Sequence, residues 1–152
     1  MSDDRSYDLA EVQAIAAQGR RLAIYDRATG LYAYWYLELR AEEELSRAQR
    51  FNKQAVLLSI WAPTPDDIER TAAHLKAGLR AYDLAAYLNN GHFLVILNET
   101  NHEGAQIVLE RLRESVGCTV GAGLACFPDD GITFDTLLTH AKASAEENAA
   151  AA

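Results

Sequence analysis

The chain has 152 residues, of which 49% are hydrophobic, and this suits one domain with its own core. Its formal net charge of −8 argues against a nucleic acid polymer as partner, because polyanions select basic surfaces. The chain starts without the basic residues and apolar run of a signal peptide, and no stretch approaches the roughly 20 apolar residues of a membrane helix. We therefore expect a cytoplasmic protein without membrane insertion.

The first half of the chain predicts helices and one short strand. Leu9, Val12 and Ile15 recur at helical spacing, and Asp66 and Asp67 place acids where the dipole of a helix start favours them. In chain order the predicted elements are a helix at 7–24, a turn at 26–30, a helix at 31–51, a strand at 54–62 and a helix at 66–79. The first of these is interpreted as an N-terminal helix that precedes the main domain.

The second half of the chain predicts a β-hairpin followed by a helix, a strand and a helix. Apolar runs at 83–88 and 92–97 flank Asn89-Asn90-Gly91, and an Asn-Gly turn between such runs is a strong hairpin signal. A helix at 102–116, a strand at 118–126 and a helix at 133–149 complete the order. Helices that alternate with strands in this way indicate an α/β fold built on one sheet.

Four segments match the motifs of one known family in order and spacing. They are Asp26–Leu31 (D-x-L-T-G-L), Arg47–Arg50 (R-A-x-R), Arg80–Asp83 (R-x-x-D) and Val120–Pro128 (a strand and an F-P-x-D-G turn). Over residues 22–145 the chain thus resembles the GGDEF family, the diguanylate cyclases. The resemblance implies a GGDEF/nucleotidyl-cyclase-like central mixed sheet flanked by helices, with an N-terminal helix at 1–21, the domain at 22–149 and a tail at 150–152.

The signature that names this family is degenerate in the chain. Asn89, Asn90, Gly91, His92 and Phe93 occupy its place, so only the phenylalanine is retained, and we expect that residue to belong to the core. The resemblance implies that magnesium would be held by the acidic pair of the signature and by an Asp at the end of the first core strand. That strand ends Leu58-Ser59-Ile60-Trp61, without a carboxylate.

These losses predict a chain that does not catalyse. The lysine of the family's C-terminal A-K-x-x-G-R-N motif also counts as lost, because the chain is rich in alanine from Ala143 to Ala152. Cys118 and Cys126 match no zinc or redox spacing and are expected to be free thiols packed as small apolar groups. We therefore expect no catalytic residue, no metal site and no cofactor.

The resemblance also implies a surviving ligand site for cyclic di-GMP. The family binds this product through R-x-x-D, five residues before the signature, and through an Arg on the next helix, which here are Arg80, Asp83 and Arg111. An Arg fork can bind the O6 and N7 edge of guanine or a phosphate, and it can stack on a purine. An Asp can accept hydrogen bonds from the opposite edge of the base.

Three functions stay open at this point: the receptor for cyclic di-GMP just described, a scaffold and a residual enzyme. Arg80 and Asp83 could form an ordinary ion pair at a helix end, and Arg111 could be a solvated helix residue. The chain would then be a nucleotide-independent scaffold, derived from a cyclase, that binds a protein partner or a second copy of itself. A residual enzyme that uses GTP is the third, and the missing carboxylates argue against it.

Overall fold

The computed structural model describes residues 23–117 and 120–151, together with Leu9. The N-terminal helix predicted at 7–24 lies almost wholly outside the described residues, as does Cys118. The domain boundaries at residues 22 and 149 stay predictions. Within the described part of the chain, no helix is long and apolar enough to cross a membrane.

The described residues form one five-stranded mixed sheet with helices on both faces. The strands are β1 (Tyr32–Ala33), β2 (Ala55–Trp61), β3 (Leu84–Tyr87), β4 (His92–Asn98) and β5 (Gly121–Phe127). The helices are α1 (Tyr34–Arg50), α2 (Pro65–Gly78), α3 (His102–Val116) and α4 (Phe134–Ala151). The strand order is β1-β3-β4-β2-β5, in which β1 is parallel to β3 and the other pairs are antiparallel. The predicted mixed sheet flanked by helices is thus confirmed.

One predicted element begins differently in the structure. The helix expected at 31–51 is preceded by β1, an edge strand in which Tyr32 and Ala33 pair with β3. Helix α1 begins only at Tyr34, after an Ala33 N-cap that makes no side-chain hydrogen bond. The two residues gain a sheet partner that is distant in sequence, and this tertiary pairing overrides the local helical pattern.

Both faces of the sheet are buried, because residues of each strand point alternately to two separate cores. On β4, Phe93 and Val95 pack in the core with α2 and α3, whereas Leu94 and Ile96 pack in the core with α1 and α4. Cys126 lies in the first core and is 7% exposed, as predicted for a small apolar packing group. Burial raises the pKa of its thiol, with smaller contributions from two nearby aspartates. With both faces covered, surface sites can form only at the ends of the strands.

The β3–β4 hairpin has the geometry that its sequence predicts. Asn90 and Gly91 both have positive φ, 49° and 83°, a conformation that asparagine and glycine adopt more readily than other residues. His92 donates from its backbone nitrogen to the Asn89 carbonyl at 2.9 Å, and Leu88 donates to the His92 carbonyl at 2.8 Å. The turn therefore fixes the register of the whole hairpin.

Replacing Gly91 with alanine is expected to lower the free energy of unfolding by about 1–2 kcal/mol, because a side chain is strained at this φ. The added Cβ would also overlap the carbonyl oxygen of Ala62. Urea denaturation monitored by circular dichroism measures the change. Gly78→Ala is the control, since its φ is not in the left-handed region and its Cβ would meet only His74, at 4.0 Å.

Candidate functional site

Arg80 and Asp83 lie in the short connection between α2 and β3, and they form a closed hydrogen-bonded unit. The Asp83 side chain is only 2% exposed. Its Oδ2 accepts from the backbone nitrogen of Arg80 at 3.2 Å and from Arg80 Nε at 3.1 Å, and its Oδ1 accepts from the backbone nitrogen of Asn98 at 3.0 Å. Asp83 thus ties the end of β4 to the loop that carries Arg80.

The Arg80 guanidinium is held from several sides. Its Nη2 donates to the Asn98 carbonyl at 2.9 Å and to Thr100 Oγ1 at 2.7 Å, and its central carbon lies 4.7 Å from the centre of the Tyr82 ring. The hydrogen bond to Asp83 raises the pKa of Arg80 above its ordinary value, although partial burial opposes this effect. None of these contacts involves Nη1, and 46% of the side chain is exposed to solvent. Arg80 is therefore a fixed, permanent cation with donor capacity toward solvent.

The structure brings the three predicted ligand residues to one depression, which we call the arginine groove. Arg80, Asp83 and Arg111 all line it, and its volume is about 640 Å³. Arg111 projects from α3 and is exposed, and its guanidinium makes no ion pair or hydrogen bond with the other residues that the structure describes. The groove therefore presents two guanidinium groups, which belong to two different parts of the fold. Ligand binding in this groove stays a prediction.

Sequence reasoning missed further polar residues of this groove, among them Lys53 and Thr100. Lys53, just before β2, contributes a third cation and lies 3.9 Å from Glu99 between Nζ and Oε1. Thr100, just before α3, accepts from Arg80. Counting the hairpin register outward from the turn pairs Leu84 with Ile96, and it therefore places Asn98 and its neighbours beside Asp83.

The five signature positions lie at the opposite end of β4 from the arginine groove. Asn89, Asn90 and Gly91 form the hairpin turn, and His92 is exposed opposite Trp61, with 6.4 Å between their ring centres. Phe93 is fully buried and meets the Tyr87 ring edge-on, with 5.0 Å between their centres. The expectation that this phenylalanine belongs to the core is confirmed.

A second depression, the hairpin groove, lies beside these signature positions. It has a volume of about 370 Å³, and its lining includes Ser59, Trp61, His92, Gly121 and Lys142. None of its described lining residues is an Asp or Glu. Magnesium prefers hard, anionic oxygen ligands, so a hydroxyl, an imidazole and an ammonium group do not fit this ion. Nowhere among the described residues do three His, Cys, Asp or Glu side chains form a group that could hold a metal ion.

The presence of Lys142 in this groove corrects one reading of the sequence. The stretch from Ala143 to Ala152 is rich in alanine, and this predicts the loss of the lysine of the family's C-terminal motif. Ala141-Lys142 in fact matches the first two letters of A-K-x-x-G-R-N, and Lys142 lies on α4 at the hairpin groove. The missed signal was this two-residue match.

Solved structures of other proteins share this architecture. No protein-family model matches the chain, and no curated protein matches it in sequence. Among solved structures, a sensory box/GGDEF family protein from Caulobacter crescentus has a TM-score of 0.75 and 20% identity, over 86% of this chain and 100% of that one. The fold is that of a GGDEF domain.

Two other GGDEF structures were determined with bound partners. The GGDEF domain of DgcB from Caulobacter crescentus, in complex with cyclic di-GMP, has a TM-score of 0.76 and 16% identity, over 87% of this chain and 90% of that one. The diguanylate cyclase SiaD from Pseudomonas aeruginosa, in complex with its activator SiaC, has a TM-score of 0.76 and 24% identity. Here the match covers 92% of this chain and 63% of SiaD. At these identities the likeness establishes the GGDEF fold.

Proposed function

We propose that this GGDEF-like domain is a catalytically inactive cytoplasmic receptor that binds cyclic di-GMP in the arginine groove. Binding would then alter its contact with a protein partner or with a second copy of the chain. The observation that carries the proposal is the pairing of two arginines in one groove. Arg80 is fixed by its neighbours with Nη1 left for a ligand, and Arg111 lies across from it on α3.

The ligand's chemistry fits these groups. Cyclic di-GMP carries two phosphates and two guanines, so an Arg fork can bind a phosphate or the O6 and N7 edge of a base. The planar guanidinium of Arg80 can stack on a purine, and the Tyr82 ring, whose centre lies 4.7 Å from its central carbon, helps to hold it in place. Lys53 adds a third cation at the same groove, and these three cations outnumber its two described carboxylates, Asp83 and Glu99. An acidic protein overall can therefore still attract this anion locally.

We assign to Asp83 a positioning role in place of direct contact with guanine. Its side chain is 2% exposed, and both of its oxygens already accept hydrogen bonds from Arg80 and Asn98. A guanine edge could reach this carboxylate only if those bonds opened. In the described arrangement Asp83 instead orients the guanidinium that meets the ligand.

The proposed inactivity is supported by the residues at the hairpin groove. Joining two GTP molecules requires metal ions that neutralise charge on the phosphates and on the attacking oxygen. Gly91 and His92 occupy the positions of the signature's acidic pair, and the first core strand ends Leu58-Ser59-Ile60-Trp61 without a carboxylate. We expect no turnover when the protein is incubated with GTP and magnesium, as measured by chromatography of the nucleotides. Product formation that disappears in a His92→Ala variant would overturn the inactivity.

Calorimetry with cyclic di-GMP tests the receptor function. We expect wild-type protein to bind at ligand concentrations of about 100 micromolar or below. Arg111→Ala is expected to weaken binding about tenfold, because one charge-assisted pair with a base or phosphate is worth roughly 1–3 kcal/mol. Arg113→Ala is the matched control, since it removes the same charge from the same helix but does not line the groove. Equal affinities for both variants would contradict the assignment of Arg111.

One observation favours the alternative, a nucleotide-independent scaffold. Through Asn98 and Thr100, Arg80 joins the loop before β3 to the end of β4, so these contacts would stabilise the fold without any ligand. A scaffold would show no heat of binding with cyclic di-GMP. It would still self-associate, or capture a protein partner, to the same extent in the wild type and in Arg111→Ala, as sedimentation velocity can measure.

A further inference from the structure

The hairpin groove is a second concave site, at the end of the sheet away from the arginine groove. Asn98, at one end of β4, contacts Arg80, whereas His92, at the other end, lines the hairpin groove. Six residues of extended strand separate the two positions by about 20 Å. A ligand of the size that fits about 370 Å³ therefore cannot occupy both sites at once.

The groove is open because one strand position, Gly121, lacks a side chain. Gly121 and Gly123 on β5 point to the same face as Ser59 and Trp61 on β2, according to the strand register. Helix α4 covers Gly123 closely, but a Cβ added at Gly121 would meet only the Trp61 ring, at 3.9 Å. The space above Gly121 is thus open and is bounded by one face of an indole.

The lining of this space is aromatic and apolar, with polarity confined to a few points. Trp61 is 43% exposed, and Leu88 and Leu94 contribute aliphatic surface. Ser59 supplies a hydroxyl that is almost buried, at 8% exposure. A wall of this kind favours a flat, apolar ligand body with one or two polar contacts.

The charged residues of the groove favour a ligand with a negative charge. Lys142 on α4 contributes an ammonium group to the groove, and His92 contributes an imidazole. No described lining residue is acidic. One cation is too little for a nucleoside triphosphate, which carries several negative charges and is normally bound with magnesium. One cation is enough for a single carboxylate or sulfonate.

We propose that the hairpin groove binds a small planar aromatic molecule that carries one anionic group. The aromatic body lies against Trp61 in the space above Gly121, and the anion meets Lys142. This site is independent of the arginine groove, because it shares no lining residue with it. Binding here would place a metabolite-sized ligand on the face of the sheet that is packed by α1 and α4.

An NMR titration of the full chain with naphthalene-2-carboxylate tests the site. Naphthalene-2-carboxamide serves as a neutral probe of the same shape. We expect the carboxylate to bind with a dissociation constant near 1 mM or below, and to shift the amide signals of Trp61, His92 and Gly121 most. The carboxamide should bind about fivefold more weakly, which is the range of one partly solvated ion pair.

Variants separate the two parts of the proposal. Lys142→Gln is expected to weaken the carboxylate about fivefold and to leave the carboxamide unchanged, whereas Lys76→Gln, on α2, should change neither. Gly121→Val fills the groove and should abolish binding of both probes. Unchanged affinity in Gly121→Val, or shifts centred elsewhere in the wild type, would overturn the site. If Gly121→Val loses its dispersed spectrum, Trp61→Ala replaces it, and full affinity in Trp61→Ala overturns the site equally. Neither result bears on cyclic di-GMP binding.

Discussion

Replacing Gly123 with alanine is expected to lower the free energy of unfolding by about 3 kcal/mol, near the upper end for one added methyl group. Gly123 lies where α4 crosses β5. A Cβ at this position would overlap the backbone nitrogen of Ala145 and the carbonyl oxygen of Ala141. Both are backbone atoms of α4, so no side chain can turn away to make room. The helix must instead move off the strand as a unit.

The same strand offers a matched control for this substitution. Gly121 precedes Gly123 by two residues and points to the same face, but its nearest neighbour would be the Trp61 ring at 3.9 Å, an ordinary van der Waals distance. Gly121→Ala is therefore expected to change stability by less than about 1 kcal/mol. Urea denaturation of both variants gives the comparison. Equal losses would show that the cost comes from glycine itself in a strand, and would remove the close-packing explanation.

A shift of α4 would also reach the hairpin groove. Lys142 lies between Ala141 and Ala145, the two residues whose backbone would meet the new methyl group. The stability of this helix contact and the position of the groove's cation therefore depend on the same glycine. Both Leu137 and Ala141 of α4 are buried against the sheet, so their packing would be disturbed together.

Local chemistry explains which parts of the fold the sequence could predict. The hairpin was predictable because Asn90 and Gly91 adopt positive φ without much cost, and a turn of this type sets the pairing of every residue in β3 and β4. The caps of α2 and α3 are equally local. Thr64 accepts from the backbone nitrogen of Asp67 at 3.1 Å, and Asn101 accepts from that of Gly104 at 2.9 Å.

Features that depend on contacts between distant residues could not be predicted from the sequence. Tyr32 and Ala33 become the edge strand β1 only because they pair with β3, and no nearby residue signals this. The different roles of Gly121 and Gly123 depend on where α4 crosses β5, which no spacing rule gives. In the candidate site, the motif predicted that Arg80 and Asp83 would be close together, but not that the carboxylate would be enclosed.

Asp83→Ala is expected to reduce both stability and affinity for cyclic di-GMP. The substitution leaves the backbone nitrogens of Arg80 and Asn98 without their acceptor, and hydrogen bonds to a charged group are worth roughly 1.5–3 kcal/mol. We expect the free energy of unfolding to fall by about 2–3 kcal/mol. Asp83→Asn keeps one carbonyl oxygen and should lose less, whereas Glu69→Ala removes an exposed acid from α2 and should lose little.

A double-mutant cycle distinguishes positioning by Asp83 from direct contact with the ligand. If Asp83 acts only by orienting Arg80, then Asp83→Asn weakens binding in the wild type but has little further effect once Arg80 is alanine. If its carboxylate instead accepts hydrogen bonds from guanine, the two losses of binding free energy add. Calorimetry of the two single variants and the double variant with cyclic di-GMP decides between these outcomes. The enclosure of Asp83 between two backbone nitrogens and the Arg80 guanidinium predicts the first.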